Sequence, residues 1–224
     1  MRQSLRTFLE DCRREIPSEV VHVAKEVDPA HYDVTAIIKH LGAMKKFPIL
    51  VFDHPLNLHG RPSSDFKLVM NCEISQRKTQ IALGVPKEMN RAQMAEVCLE
   101  REEHRILPTV VDKKQAPVKE VVKTGKDVDM LELPIMRHHY MDGGPYIVLS
   151  TVTKDRKSGI YNCSYHRMEV KSRNMTALYA SPRHLWKIFR DHEENNLECP
   201  VATVLGHHPA SGAAPAHPVR DLGR

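Results

Sequence analysis

The chain has 224 residues, 41% of them hydrophobic and 27% charged, an ordinary balance for a soluble globular protein with length for one large or two small domains. Its formal charge of +5 is mildly basic, but acids interleave with bases, as in Glu100-Arg101-Glu102-Glu103-His104-Arg105, so no continuous basic stripe marks a nucleic-acid surface. No run reaches the roughly 18 apolar residues that span a bilayer, and five scattered cysteines (Cys12, Cys72, Cys98, Cys163, Cys199) without a CxxC pair read as reduced thiols, not as a disulfide framework or a zinc ribbon.

Met1-Arg2-Gln3-Ser4 leads directly into an amphipathic pattern without the apolar stretch of a signal peptide, so a cytoplasmic protein is expected. Ser4 is placed to cap a helix with Leu5, Phe8, Leu9 and Cys12 on its apolar face, ended by Pro17. Val20, Val21 and Val23 predict a short strand, and Ile37, Ile38 and Leu41 the inner face of a helix over 34–44. The apolar run 47–52, bounded by Asp53-His54-Pro55, predicts a buried strand, and 66–72 another. Helices are expected over 76–83 and 87–103, the second with a mobile start at Met89-Asn90-Arg91. This alternation suggests an α/β layer over residues 1–108.

Near 106–108 the texture changes. Val110-Val111, Val118 and Val121-Val122 are β-rich, separated by Lys, Pro and Gly, and Asp142-Gly143-Gly144-Pro145 is a strong turn. Two long strands follow, over 146–153 and 159–170, joined by the polar loop Lys154-Asp155-Arg156-Lys157-Ser158 as a hairpin. Ser181-Pro182 reads as a cap and first-turn proline for a helix with Leu185, Ile188 and Phe189 inward. Residues 200–205 make the last strand, and 211–224 a low-complexity tail expected to be disordered.

Three polar residues stand out against this background. Asn162 offers a neutral oxygen to a hard cation, Arg167 a forked donor to a carboxylate, and His184 an imidazole at a helix start where amide groups favour anions. Asn162 and Arg167 are five positions apart, which on a regular strand places them on opposite faces. Either the strand bulges, or the two serve different sides of one site. Taken singly, each also reads as a ladder, surface or capping residue. His138-His139 and His207-His208 are poor ligand pairs, because strand neighbours diverge; the second pair marks a strand-to-helix corner.

Asp142-Gly143-Gly144-Pro145-Tyr146 before a strand, then Asn162 with Arg167, then Pro182-Arg183-His184, then Gly206-His207-His208-Pro209-Ala210, together resemble the UbiD family of decarboxylases. The resemblance is best over 129–210. It implies a mixed α/β fold: an N-terminal α/β domain, then a split β-barrel-like flavin-binding domain over 109–210, incomplete at its C-terminus. It implies reversible, non-oxidative decarboxylation of an aromatic or α,β-unsaturated carboxylic acid with prenylated FMN, supplied by a separate flavin prenyltransferase. Carried over by position, Asn162 and His184 match the ligands of a divalent metal, Mn2+ or Mg2+, that bridges to the flavin phosphate, with K+ commonly beside it. Arg167 matches the catalytic arginine beside the flavin, which contacts the substrate carboxylate within a Glu–Arg–Glu network. Homo-oligomers, dimers or hexamers, are expected, with no membrane partner.

The family's third metal ligand and its acid–base glutamates lie well downstream of the histidine. Glu193, Glu194 and Glu198 come too early to replace them, and the residues from Ser211 onward read as a premature end or an unrelated reading frame. A chain lacking those glutamates is expected to bind metal weakly and lose about 10²–10⁴ in rate. Two other readings therefore stand beside the enzyme: a non-catalytic flavin- and metal-binding remnant, and a basic interaction module that keeps only the backbone.

Overall fold

A computed structural model describes residues 3–104 and 109–213. The change of texture at 106–108 and the tail beyond 213 lie outside the described residues.

The first half is a three-layer arrangement built on one buried strand. Strand β1 (Val20–Val23) pairs parallel with β2 (Ile49–Phe52), and β2 pairs antiparallel with β3 (Leu68–Met70). All four residues of β2 are buried, and their alternation sends successive side chains to opposite faces. Ile49 and Val51 pack with Phe8, Leu9 and Cys12 of helix α1 (Leu5–Glu15) and Ala82 of α3 (Gln76–Leu83). Leu50 and Phe52 pack with Val34 of α2 (Asp33–Ala43), Val27 and Met136. A strand covered on both faces needs a continuous apolar run, which is what this sequence supplies.

The helix ends follow local chemistry. Ser4 and Thr7 form a capping box at the start of α1, and Gly84 closes α3 at φ 64°, in the left-handed region. Helix α4 (Arg91–Glu103) begins four residues later than the periodicity suggests, because Asn90 and Gln93 form a capping box there. Its start is anchored: the Gln80 side-chain amide donates to the Met89 carbonyl at 2.6 Å.

The valines between 110 and 122 form no strand. Short 3-10 turns at Lys113–Gln115 and Pro117–Lys119 occupy this stretch, and Val110, Val118 and Val121 stay exposed. Pro117 and the intervening lysines leave no ladder to build on. The chain then enters an antiparallel four-stranded sheet ordered β6-β5-β4-β7. Strands β4 (Tyr146–Lys154) and β5 (Tyr161–Ser172) form the expected hairpin, β6 (Met175–Leu178) was not foreseen, and β7 (Val201–Val204) lies on the other side of β4. The described sheet is open. Ile135, Ile147, Met168 and Val170 form the core beneath it, and α5 (His184–Glu194) packs against β4 and β5 through Leu185 and Ile188. No described helix is long and apolar enough to cross a membrane.

Candidate functional site

Strand β5 pairs with β4 without a break from Tyr161 to Glu169, so no bulge interrupts the stretch that holds Asn162 and Arg167. On its other side β6 pairs only from Met168 to Ser172. Residues 161–167 therefore have no strand neighbour on that side among the described residues. After Leu178 the chain swings away through Tyr179, Ser181 and Pro182 into α5, opening a cleft of about 1170 Å³ along the free strand edge. Asn162, Arg167 and His184 all line it. The parity problem resolves at that edge, where side chains from both faces of one strand reach the same space.

The two faces carry different chemistry. On one, Asn162, Ser164 and His166 follow each other at every second position: Asn162 Nδ2 lies 3.0 Å from Ser164 Oγ, which lies 2.8 Å from His166 Nε2. Burial disfavours the charged imidazole of His166 and lowers its pKa, against a backbone hydrogen bond with Tyr179 that favours it. On the other face, the Arg167 guanidinium lies 4.5 Å from the centre of the Tyr146 ring and donates from Nη2 to Asp142 Oδ1 at 3.0 Å. Asp142 Oδ2 also accepts from the His139 amide at 2.9 Å. Desolvation pushes the Asp142 carboxyl up, but this amide and Arg167 outweigh it and hold it below its usual range.

The turn before β4 is shaped by the same face. A Cβ added at Gly143 would come within 2.9 Å of Glu169 Oε1. The neighbour that would have to give way is the far end of a flexible side chain, and Gly143 has no unusual φ. Glu169 lines the cleft, accepts from Tyr146 Oη and Lys171 Nζ, and is held below the usual carboxylate range first by the Lys171 bond. Among the described residues, Arg167 thus has Asp142, 25 residues earlier in the chain, as a carboxylate partner.

His184 is exposed and is the first residue of α5. The cap is Arg183, with no side-chain hydrogen bond to the first turn, so Ser181-Pro182 is not the cap the sequence suggests. The first-turn amides of an 11-residue helix, with Arg183 and Lys187, therefore border the cleft. Such a terminus favours a phosphate.

This donor set fits the phosphate end of a flavin nucleotide. For a divalent ion it supplies an amide and an imidazole. No group of three His, Cys, Asp or Glu side chains able to hold a metal occurs among the described residues.

The paired histidines diverge. His139 is exposed beside the turn, while burial lowers the His138 pKa. His207 Nε2 lies 3.2 Å from Ser150 Oγ and 3.4 Å from Tyr165 Oη, whereas the His208 ring meets Phe8 edge-on at 5.8 Å. The pair does sit at a corner, between β7 and the 3-10 turn Pro209–Ala213. Sequence reasoning gave Ser164 no role and passed over His166, Tyr146, Asp142 and Glu169 as site residues. The polar alternation Asn162-x-Ser164-x-His166 was the available signal for the first two.

Residues 12–97 match the 3-octaprenyl-4-hydroxybenzoate carboxy-lyase N-terminal domain, and residues 109–221 match the Rift-related domain of the same carboxy-lyase, the UbiD domain. Among curated relatives, the anhydromevalonate phosphate decarboxylase of Methanosarcina mazei is 33% identical over 147 residues, which cover 65% of this chain and 32% of the relative. Among solved structures, an evolved dimeric form of the UbiD-class enzyme HmfF from Pelotomaculum thermopropionicum, in complex with prFMN, superposes with a TM-score of 0.78 at 27% identity, over 93% of this chain and 45% of that one. The closed form of vanillic acid decarboxylase from Sedimentibacter hydroxybenzoicus superposes with a TM-score of 0.82 at 25% identity, over 96% and 45%. The chain spans less than half the length of these proteins. It belongs to the UbiD family.

Proposed function

We propose, from membership of the UbiD family, that this chain takes part in the non-oxidative, reversible decarboxylation of an aromatic or α,β-unsaturated carboxylic acid with prenylated FMN. The single observation that carries the reading is the meeting of Asn162, Arg167 and His184 on one cleft beside an open helix N-terminus.

Prenylated FMN, when bound, supplies the electron sink that loss of CO2 requires. The chain's own residues bind and orient. The first turn of α5 and Arg183 would attract the flavin phosphate, and Asn162 Oδ1 with the His184 imidazole would be two donors to a Mn2+ or Mg2+ ion, with K+ as a further cation of the site. Arg167, aligned by Tyr146 and Asp142, turns its fork toward a substrate carboxylate and fixes the bond to be broken. Residues 1–108 act as the supporting α/β domain and 109–210 as the flavin-binding domain. A cytoplasmic homo-oligomer, loaded by a separate flavin prenyltransferase, completes the proposal.

A second reading, a non-catalytic flavin-binding remnant, is favoured by one observation. The cleft's own glutamate, Glu169, is held ionised by Lys171 and Tyr146, a poor state for a proton donor. Reconstitution of the full chain with prenylated FMN and Mn2+ separates the two. Flavin uptake with CO2 release from cinnamate- or benzoate-type acids supports the enzyme, uptake without release supports the remnant, and folded protein that takes up no flavin refutes both. Asn162→Ala and His184→Ala are each expected to weaken flavin retention about 10-fold or more.

A further inference from the structure

We infer that Ser164 and His166 form a one-directional hydrogen-bond relay that turns the Asn162 amide oxygen toward the cleft, which makes His166 a positioning residue for the cation and phosphate site. The inference rests on the reading of Asn162 as a ligand given above.

The argument begins with donor arithmetic. A carboxamide presents an acceptor at one end and two donors at the other, and only its neighbours decide which end faces a ligand. An ion needs the oxygen. Asn162, Ser164 and His166 lie along one face of β5, and their contacts at 3.0 and 2.8 Å form a continuous line. Ser164 has a single hydroxyl proton. In a relay running one way, Ser164 accepts from Asn162 Nδ2 and gives that proton to a bare His166 Nε2; an Nε2–H donating to the hydroxyl's second lone pair is the competing arrangement. The relay's ring proton then sits on Nδ1, and a backbone hydrogen bond with Tyr179 also engages the ring.

The opposite polarity is self-consistent too. With the proton on Nε2, His166 donates to Ser164, Ser164 donates to Asn162 Oδ1, and the amide presents its NH2 group to the cleft. That arrangement repels a cation. Within a continuous relay, the imidazole tautomer sets whether residue 162 offers a lone pair or a hydrogen. His166 also sits on the opposite face from the Arg167–Asp142–Tyr146 group. Altering it leaves the carboxylate-orienting side in place.

The test titrates the full chain with Mn2+ in the presence of FMN, following free Mn2+ by EPR, for wild type, Asn162→Ala, Ser164→Ala, His166→Phe and His166→Gln. Gln can return an acceptor near the Nε2 position, whereas Phe fills the ring's volume without one. Ser164→Ala and His166→Phe are expected to weaken Mn2+ binding about 10–100-fold, and His166→Gln to stay within a few-fold of wild type. Equal losses in Gln and Phe overturn the relay in favour of simple packing. A second measurement needs no ligand: long-range ¹⁵N–¹H spectra of the His166 ring should show Nδ1–H with a bare Nε2, and an Nε2–H tautomer overturns the inference. If wild type binds no Mn2+, or Asn162→Ala binds as wild type does, the ligand reading fails, and the tautomer alone then decides the relay.

Discussion

Arg167 is engaged within the chain itself. Its charge is neutralised by Asp142 and its plane set by Tyr146, so in the role proposed for it a substrate carboxylate would displace a carboxylate already in place. The pair is partly exposed, and such pairs are worth about 0.2–1 kcal/mol. Asp142→Asn should therefore tighten binding of a benzoate probe a few-fold, by isothermal titration, and Arg167→Lys should loosen it by more, since a point charge cannot form the fork. The pH dependence has a definite sign. The folded carboxyl of Asp142 lies below its ordinary value, so the pair's contribution is complete above the unfolded range near pH 4 and fades as pH falls through the lower folded value. Gly143→Ala sets a methyl against the movable end of Glu169 and should cost only about 0.5 kcal/mol in urea unfolding, with Glu169→Ala removing the clash. At this scale the sequence disclosed residue types but not their partners. Asn162, Arg167 and His184 could be picked out by chemistry and spacing, whereas the contact between Arg167 and Asp142 depends on how a turn folds back over a strand.

Helix α5 shows how an element can trade stability for an open end. An N-cap of Ser, Thr, Asp or Asn would satisfy its first amides, but Arg183 leaves them facing the cleft. Arg183→Asp should raise stability by about 0.5–2 kcal/mol in urea titrations and at the same time sharply reduce FMN affinity. A rise in both, or a fall in both, would contradict the role given to this terminus. Elements with strong local signals were readable: α1, α3, the buried strand β2 and the β4–β5 hairpin all lie close to where periodicity and turn residues put them. The failures have physical causes. The 110–122 valines carry β propensity without a partner strand, and β6 is four residues held by its pairing with β5 and by Leu178 on the core beneath. Neither is decided by local sequence.

Across the whole molecule, the two halves share their cores. Met136, from the later half, is buried with Val34, Leu50 and Phe52, while Leu58, from the earlier half, packs with Ile135, Ile147 and Met168. The Leu58 amide donates to the Leu131 carbonyl at 2.9 Å, and the Arg137 amide to the Pro29 carbonyl at 3.0 Å. Met136→Ala should cost about 2–5 kcal/mol and move the unfolding midpoint seen by fluorescence of Trp186, the chain's single tryptophan, which stands in the cleft wall. A Trp186 midpoint that ignored the change would show that the halves unfold separately. The unpaired side of β5 has one more consequence. Alternate main-chain amides and carbonyls of 161–167 point toward the cleft instead of a neighbouring strand, so a guest lying there can be gripped by atoms every amino acid carries. Truncating side chains one by one would leave that grip intact, and positions tolerant of replacement along this strand would be mistaken for bystanders.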